Sequence, residues 1–175
     1  MVRDVVLLGS DILEKTSNPV EVSSDETRRL VEDLFDTLET CPGIGLAGPQ
    51  IGVLKRVFVI KLDDGVRRAF VNPQITGTSP ETVQYEEGCL SIPDVWCNVV
   101  RPVRVSVFAY DENGKPFNLD ADGILARCIQ HEYDHLEGRL FIDHTASEER
   151  ERLVRRFEKK QLLRSKSRRG KRHGS

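Results

Sequence analysis

The sequence lacks any apolar run approaching the roughly 20 residues of a membrane-spanning helix. Its amino terminus, Met1-Val2-Arg3-Asp4, leads into a brief apolar patch containing an acid. That start has neither the long apolar core nor the small-residue cleavage site of a secretory signal, so a cytosolic protein is expected. The four cysteines, Cys41, Cys89, Cys97 and Cys128, are scattered and form no C-x-x-C pair. A disulfide framework is therefore not expected, and in a reducing compartment each cysteine reads as a thiol or a metal thiolate. Internal repeats and a domain linker are missing too. The 175 residues, 38% hydrophobic and 31% charged, read as one domain with a sizeable core.

What is present is unevenly distributed. Residues 148–175 hold 12 Lys+Arg against 4 Asp+Glu, whereas residues 1–147 hold 14 against 24. An acidic body with a basic end points towards a polyanionic partner, nucleic acid or a ribonucleoprotein surface, with a solvated terminus as the bland alternative. The acid Glu26 follows three positions after a cap at Ser23, and Leu30, Val31, Leu34, Phe35 and Leu38 recur at helical spacing, predicting a helix over 24–40. Strands are expected at 56–60, 68–71, 81–85 and 103–110, with Asp111-Glu112-Asn113-Gly114 turning the last into 115–117. A helix from about Asp122 to Leu136, closed by Gly138, and another over 147–163 complete the chain. Cys97 reads as a loop residue. The expected fold is α+β, with short antiparallel strands packed around a central helix and a carboxy-terminal helix. Residues 1–163 form the domain and 164–175 a disordered basic tail.

The central helix contains Gln130-His131-Glu132-Tyr133-Asp134-His135, an H-E-x-x-H pattern. Residues four apart share a helix face, so His131 and His135 can aim at one ion while Glu132 reaches a water beside it. A catalytic site of this kind takes three protein ligands and keeps one position open. Cys89, in Glu86-Glu87-Gly88-Cys89-Leu90-Ser91, is the best third ligand. Cys128 is a rival but lies nearer the core stripe, and His144 is a downstream alternative. The run Gly43-Ile44-Gly45-Leu46-Ala47-Gly48-Pro49-Gln50-Ile51-Gly52 cannot be a regular helix. It lacks the lysine of a phosphate loop and any preceding strand, which makes a nucleotide site a poor reading.

Three segments in order, Gly43-Ile44-Gly45-Leu46-Ala47-Gly48-Pro49-Gln50, Glu87-Gly88-Cys89-Leu90-Ser91 and Gln130-His131-Glu132-Tyr133-Asp134-His135, closely resemble the signature motifs of peptide deformylases. The resemblance implies a metal-dependent hydrolase that removes the formyl group from N-formylmethionyl nascent peptides and releases formate. It implies Cys89, His131 and His135 as ligands of one divalent ion, Fe2+ in the cell, with Zn2+, Ni2+ or Co2+ in a preparation. Glu132 would move the proton, and the Gln50 amide and Leu90 backbone N–H would hold the oxyanion. Gly43, Ile44 and Gly45 would pair with the peptide as an added strand, with Ile44, Ile124, Cys128 and His131 forming the methionine pocket. Glu87 and Arg101 would brace the cysteine loop. The basic end would dock on the ribosome, in a bacterial cytoplasm or an organelle.

The chain departs from the family pattern at Gly48, expected to loosen the loop bearing Gln50. It also departs at Tyr85 and Arg127 beside the pocket and at Trp96-Cys97 near the entrance. Two other readings stay open. One is a metallopeptidase using His144 in place of Cys89, and the other a ribosome-binding module whose ion is purely structural, closed by Cys128 or His144 as a fourth ligand.

Overall fold

Helix α1 (Asp25–Glu39) begins one residue later than expected. Ser24, not Ser23, is extended at the boundary, and its hydroxyl accepts the Thr27 N–H at 3.1 Å. The computed structural model describes residues 1–174. The apolar stripe of α1, led by Leu34 and Phe35, lies on one face of a five-stranded antiparallel sheet. The strands are β1 (Gly45–Ala47), β2 (Val57–Lys61), β3 (Arg67–Thr78), β4 (Thr82–Cys89), β5 (Ile92–Pro102), β6 (Val105–Tyr110) and β7 (Pro116–Ala121). The large sheet runs β1-β2-β3-β6-β7, and β4 with β5 forms a separate two-stranded sheet.

Successive residues of a strand face opposite ways, and β2 uses both faces. Val57 and Val59 pack towards α1, while Phe58 and Ile60 pack with Phe70, Val105 and Val107 towards helix α2 (Gly123–Leu136). α2 contributes Ala126, Ile129 and Leu136 to that second core. The sheet is thus sandwiched, and the helix carrying the H-E-x-x-H residues sits opposite α1. Gly138 takes φ 71° just beyond α2, the left-handed stop expected of it. The turn after β6 is also as expected, with the Gly114 N–H donating to the Asp111 carbonyl at 3.0 Å.

The β4–β5 hairpin has its own core. Ile92, Val95 and Val99 of β5 meet Leu140, Phe141 and Ile142 of a short 3-10 turn (Phe141–His144) and the residue before it, and Leu153 and Phe157 of helix α3 (Ser147–Arg172). β5 is absent from the strands expected of the sequence, and it takes in Cys97, a residue expected in a loop. The reason lies in its burial pattern. Its inward residues step from Ile92 to Val95, an odd interval, because Asp94 takes φ 63° and breaks the two-residue alternation.

α3 is longer than expected. The sequence predicts a helix ending at Leu163 and a disordered tail, but the helix continues to Arg172. Nothing after Phe157 in α3 is buried, yet the extension contains no proline. It places Arg169, Lys171 and Arg172 at the helix's negative end, which favours continuation. Ser175, the last residue of the expected tail, lies outside the described residues. Among the described residues no helix is long and apolar enough to cross a membrane.

Candidate metal centre and substrate cleft

The face of α2 turned towards the hairpin carries two stripes at four-residue spacing. Arg127, His131 and His135 form one, and Ile124, Cys128 and Glu132 the other. Opposite them, β4 ends at Cys89, whose Sγ lies 3.4 Å from His135 Nε2. His131 is oriented by Glu87, with its Nδ1 2.8 Å from Glu87 Oε1, so its other ring nitrogen is the one left for a ligand. Donor atoms of Cys89, His131 and His135 all lie within 4.8 Å of one another. The two rival ligands are elsewhere engaged. Cys128 is buried beneath Gly45, and His144 Nε2 is 2.7 Å from Asp134 Oδ2.

The electrostatics suit a cation. Burial alone would raise the Cys89 thiol, but the adjacent His135 and His131 outweigh it and hold Cys89 well below the usual thiol range. Burial likewise disfavours a charged His131, and the Cys89 and Glu87 anions reverse that. The Cys128 thiol has only burial and the Glu132 and Glu87 carboxylates around it, which push it well up and leave it a neutral wall. One thiolate and two imidazoles form a donor set fitted to a borderline transition-metal ion. Beside them, the buried Glu132 Oε2 has no hydrogen-bond partner. Burial, reinforced by the Cys89 and Glu87 anions and opposed by the two imidazoles, pushes Glu132 up to about 7.

The glycine run supplies the facing wall. A Cβ on Gly43 would come 2.9 Å from Leu90 Cδ1, and one on Gly45 would come 2.7 Å from Glu132 Oε1. β1 is the edge strand of its sheet, and Gly43, Ile44 and Gly45 line a cleft of roughly 550 Å³ together with Ile124, Cys128 and His131. Ile124, 59% exposed, stands at the mouth of this cleft rather than in its depth. Gln50 is fixed within it. Its Oε1 accepts the Ala47 N–H at 3.0 Å, turning its amide Nε2 towards Cys89 Sγ at 3.4 Å and Ser91 Oγ at 3.1 Å. Ser91 is fully buried and holds this amide, a role not read from the sequence although the residue stands within the cysteine motif. Leu90 occupies the turn between β4 and β5 and lines the same cleft.

Behind the donors lies a buried ion network larger than the Glu87–Arg101 pair expected. Arg101 donates through Nε and Nη2 to both Glu87 oxygens at 2.6 and 2.9 Å, and through Nη1 to Asp134 at 2.9 Å. Arg127 adds a further bond to Glu87 Oε2 at 2.6 Å. The departures from the family pattern now have places. Tyr85 is an exposed ring with the Arg127 guanidinium 5.7 Å from its centroid, and Trp96 covers Gly88 at the cleft rim. Gly48 does not loosen its loop. Its Cα is so tightly enclosed that a Cβ would fall 2.8 Å from the Val53 and Lys55 carbonyl oxygens.

Known proteins are similar to this chain over most of its length. A peptide deformylase of Treponema pallidum (strain Nichols) is 48% identical over 154 residues, 88% of this chain and 94% of that protein. One from Brucella suis is 44% identical over 162 residues, covering 90% and 93%. The crystal structure of a Legionella pneumophila peptide deformylase superposes with a TM-score of 0.89 at 38% identity, covering 94% of this chain and 98% of the other. A peptide deformylase from Ehrlichia chaffeensis, solved in complex with actinonin, superposes at 0.87 with 36% identity and 91% and 97% coverage. The sequence pattern of polypeptide deformylases matches residues 2–151, and the chain belongs to that family.

Proposed function

We propose that the chain removes the formyl group from N-formylmethionyl nascent peptides, with Cys89, His131 and His135 holding one divalent cation. The observation that supports the reading is the meeting of those three donors within 4.8 Å, beside a buried carboxylate and an oriented amide. Such a cation supplies Lewis acidity and brings the pKa of a water towards about 7. Thiolate with two imidazoles suits iron, zinc, nickel or cobalt alike, and it is the resemblance to peptide deformylases that implies ferrous iron in the cell.

The chain's own residues do the rest. The backbone of Gly43–Gly45, which leads into the edge strand β1, pairs with the peptide backbone and leaves downstream side chains unread. Ile44, Ile124, Cys128 and His131 receive the methionine side chain. Glu132, with one oxygen unsatisfied, takes a proton from the attacking water and delivers it to the departing amine nitrogen. The Gln50 Nε2 and the Leu90 N–H donate to the oxygen of the tetrahedral intermediate. Water and formamide become formate and a free amino terminus. The exposed basic length of α3 contacts the ribosome surface, in the cytoplasm where formylated chains emerge.

Formate release from a short formyl-methionyl peptide, assayed anaerobically with Fe2+ and again with Zn2+, tests this. Turnover is expected with either ion and is expected to vanish in Cys89→Ala together with the bound metal. Retention of full metal content by Cys89→Ala, or no formate from the metal-loaded protein, overturns it.

A further inference from the structure

The metal donors come from two separate pieces of the fold. Cys89 ends a strand of the two-stranded β4–β5 sheet, whereas His131 and His135 belong to α2, which packs on the other sheet. The hairpin's apolar core faces the short 3-10 turn and α3, not α2. What fixes the sulfur relative to the imidazoles must therefore cross the seam between hairpin and α2. Among the described residues, no side chain makes more polar bonds across that seam than Arg127.

Arg127 lies one helical turn before His131 on the same stripe. Its Nη1 donates to Glu87 Oε2 at 2.6 Å and to the Val99 carbonyl at 3.0 Å, and its Nη2 donates to the Val83 carbonyl at 2.8 Å. A single guanidinium thus grips β4 at two points and β5 at one. Arg101, by contrast, is itself part of the hairpin and reaches α2 only through Asp134. Gln130 adds one bond to the Pro102 carbonyl, and His131 adds its bond to Glu87. The Arg127 side chain is 11% exposed, and its bonds to Glu87 and Val99 are partly buried while the one to Val83 is open to water. A lysine cannot replace such a fork, because it offers a point charge in place of a planar set of donors.

We propose that Arg127 is a positioning residue for the metal centre. It holds the cysteine-bearing hairpin at the distance and angle that the two histidines require, and it shares with His131 the carboxylate that orients that ring. This rests on the metal reading above. The prediction is specific to the cation, since Arg127 lies at the cleft wall with its fork engaged by Glu87, Val99 and Val83.

The test compares the full-length wild type with Arg127→Met, which keeps the aliphatic stem, and with Arg127→Lys. Each is loaded with Co2+, a spectroscopically visible probe, and the ion is drawn off by a chromophoric chelator. Arg127→Met is expected to release Co2+ about tenfold faster or more, the scale seen when partners of metal ligands are removed. Its thiolate-to-cobalt absorption band is expected to shift, and its KM for a formyl-methionyl peptide to stay within about twofold while kcat falls. Arg127→Lys is expected to fall between the two. Wild-type release rate and an unaltered band in Arg127→Met overturn the proposal, as does a variant whose KM rises while its metal behaviour is unchanged. If Arg127→Met fails to fold, Arg127→Lys decides, and wild-type release from it overturns the proposal equally. Failure of the wild type to bind Co2+ at all would instead strike the metal assignment, and the two failures are thereby told apart.

Discussion

Glu87 Oε1 sits 2.8 Å from His131 Nδ1, so the carboxylate that neutralises the buried arginines also sets the orientation of an imidazole donor. Stability and metal geometry consequently meet in one side chain. Burial works against the Glu87 anion, but the bonds from His131 and Arg101 outweigh it and hold the carboxyl far below the ordinary range. A carboxyl depressed in the folded state contributes stability that is present above its ordinary value of 4.5 and is lost as pH falls towards the folded value. The urea midpoint is expected to fall steadily below about 4.5, with a shallower fall in Glu87→Gln.

Truncating Glu87 altogether is more damaging, because Arg101 and Arg127 then lose a buried counter-charge. Arg101 is 4% exposed in its side chain and retains only Asp134 as an ionic partner. Glu87→Ala is expected to destabilise the fold by about 3 kcal/mol, near the lower end for breaking a buried pair, and to lower Tm by roughly 6–12 °C in a chain of this size. A thermal melt of the metal-free protein measures it. A shift under about two degrees would mean that the network is held by Asp134 and the backbone alone.

Gln50 and Glu132 are expected to separate cleanly in kinetics. The Gln50 amide is held by Ala47 and Ser91 before any substrate arrives, so it is a preorganised donor rather than one recruited on binding. Gln50→Ala is expected to lower kcat about 10²- to 10³-fold with little change in KM. Glu132→Gln keeps the shape of the buried side chain but removes its capacity to move a proton. It is expected to lower kcat about 10²- to 10⁴-fold with full metal content retained. Loss of metal from Glu132→Gln would assign Glu132 to holding the ion's surroundings instead.

Much of this site was legible from spacing. The i, i+4 histidines and the intervening glutamate describe most of the geometry, because α2 is regular where they lie, and a cysteine beside a glycine marks the register shift that ends β4. The parts that were not legible are those where regularity fails. β5 hides behind Pro93 and the left-handed Asp94, which displace its inward residues by one. Arg127 reads only as a departure beside the pocket, and its grip on the hairpin stays hidden because the Val83 and Val99 carbonyls belong to strands distant in sequence. The extension of α3 escaped for a different reason. A helix with no buried residue after Phe157 leaves no hydrophobic period to detect.

Gly45 and Gly48, which flank Leu46-Ala47 in one short run, are expected to fail in different ways when given a methyl group. At Gly45 the new carbon meets the Glu132 carboxylate and the Cys128 sulfur, both side chains able to shift. Gly45→Ala should therefore fold and lose activity about tenfold or more, through a displaced Glu132. At Gly48 the carbon meets two backbone carbonyls at 2.8 Å, which cannot give way without moving the loop. Gly48→Ala is expected to cost about 1–3 kcal/mol of stability, read as a lower denaturant midpoint. Equal effects of the two on Tm would contradict the distinction between yielding and unyielding neighbours.

The far end of α3 offers the cleanest separation of catalysis from docking. Lys160 donates to the Asp94 carbonyl at 2.7 Å and Arg164 binds the Asp94 carboxylate, so α3 is fastened to the cleft rim up to that point. Beyond it Lys166, Arg168, Arg169, Lys171 and Arg172 are exposed along one unsupported helix. A chain ended after Ser165 keeps every buried residue of α3 and both bonds to Asp94. Its kcat/KM on a short formyl peptide is expected to stay within about twofold of the full chain, since the removed residues touch neither core nor cleft. Its binding to ribosomes, followed by co-sedimentation, is expected to weaken sharply and to lose most of its salt dependence, because each phosphate contact removed flattens that slope. Undiminished, salt-sensitive sedimentation of the shortened chain would move the docking surface off the far end of α3 and onto its retained basic part, Arg150 to Arg164, or the body.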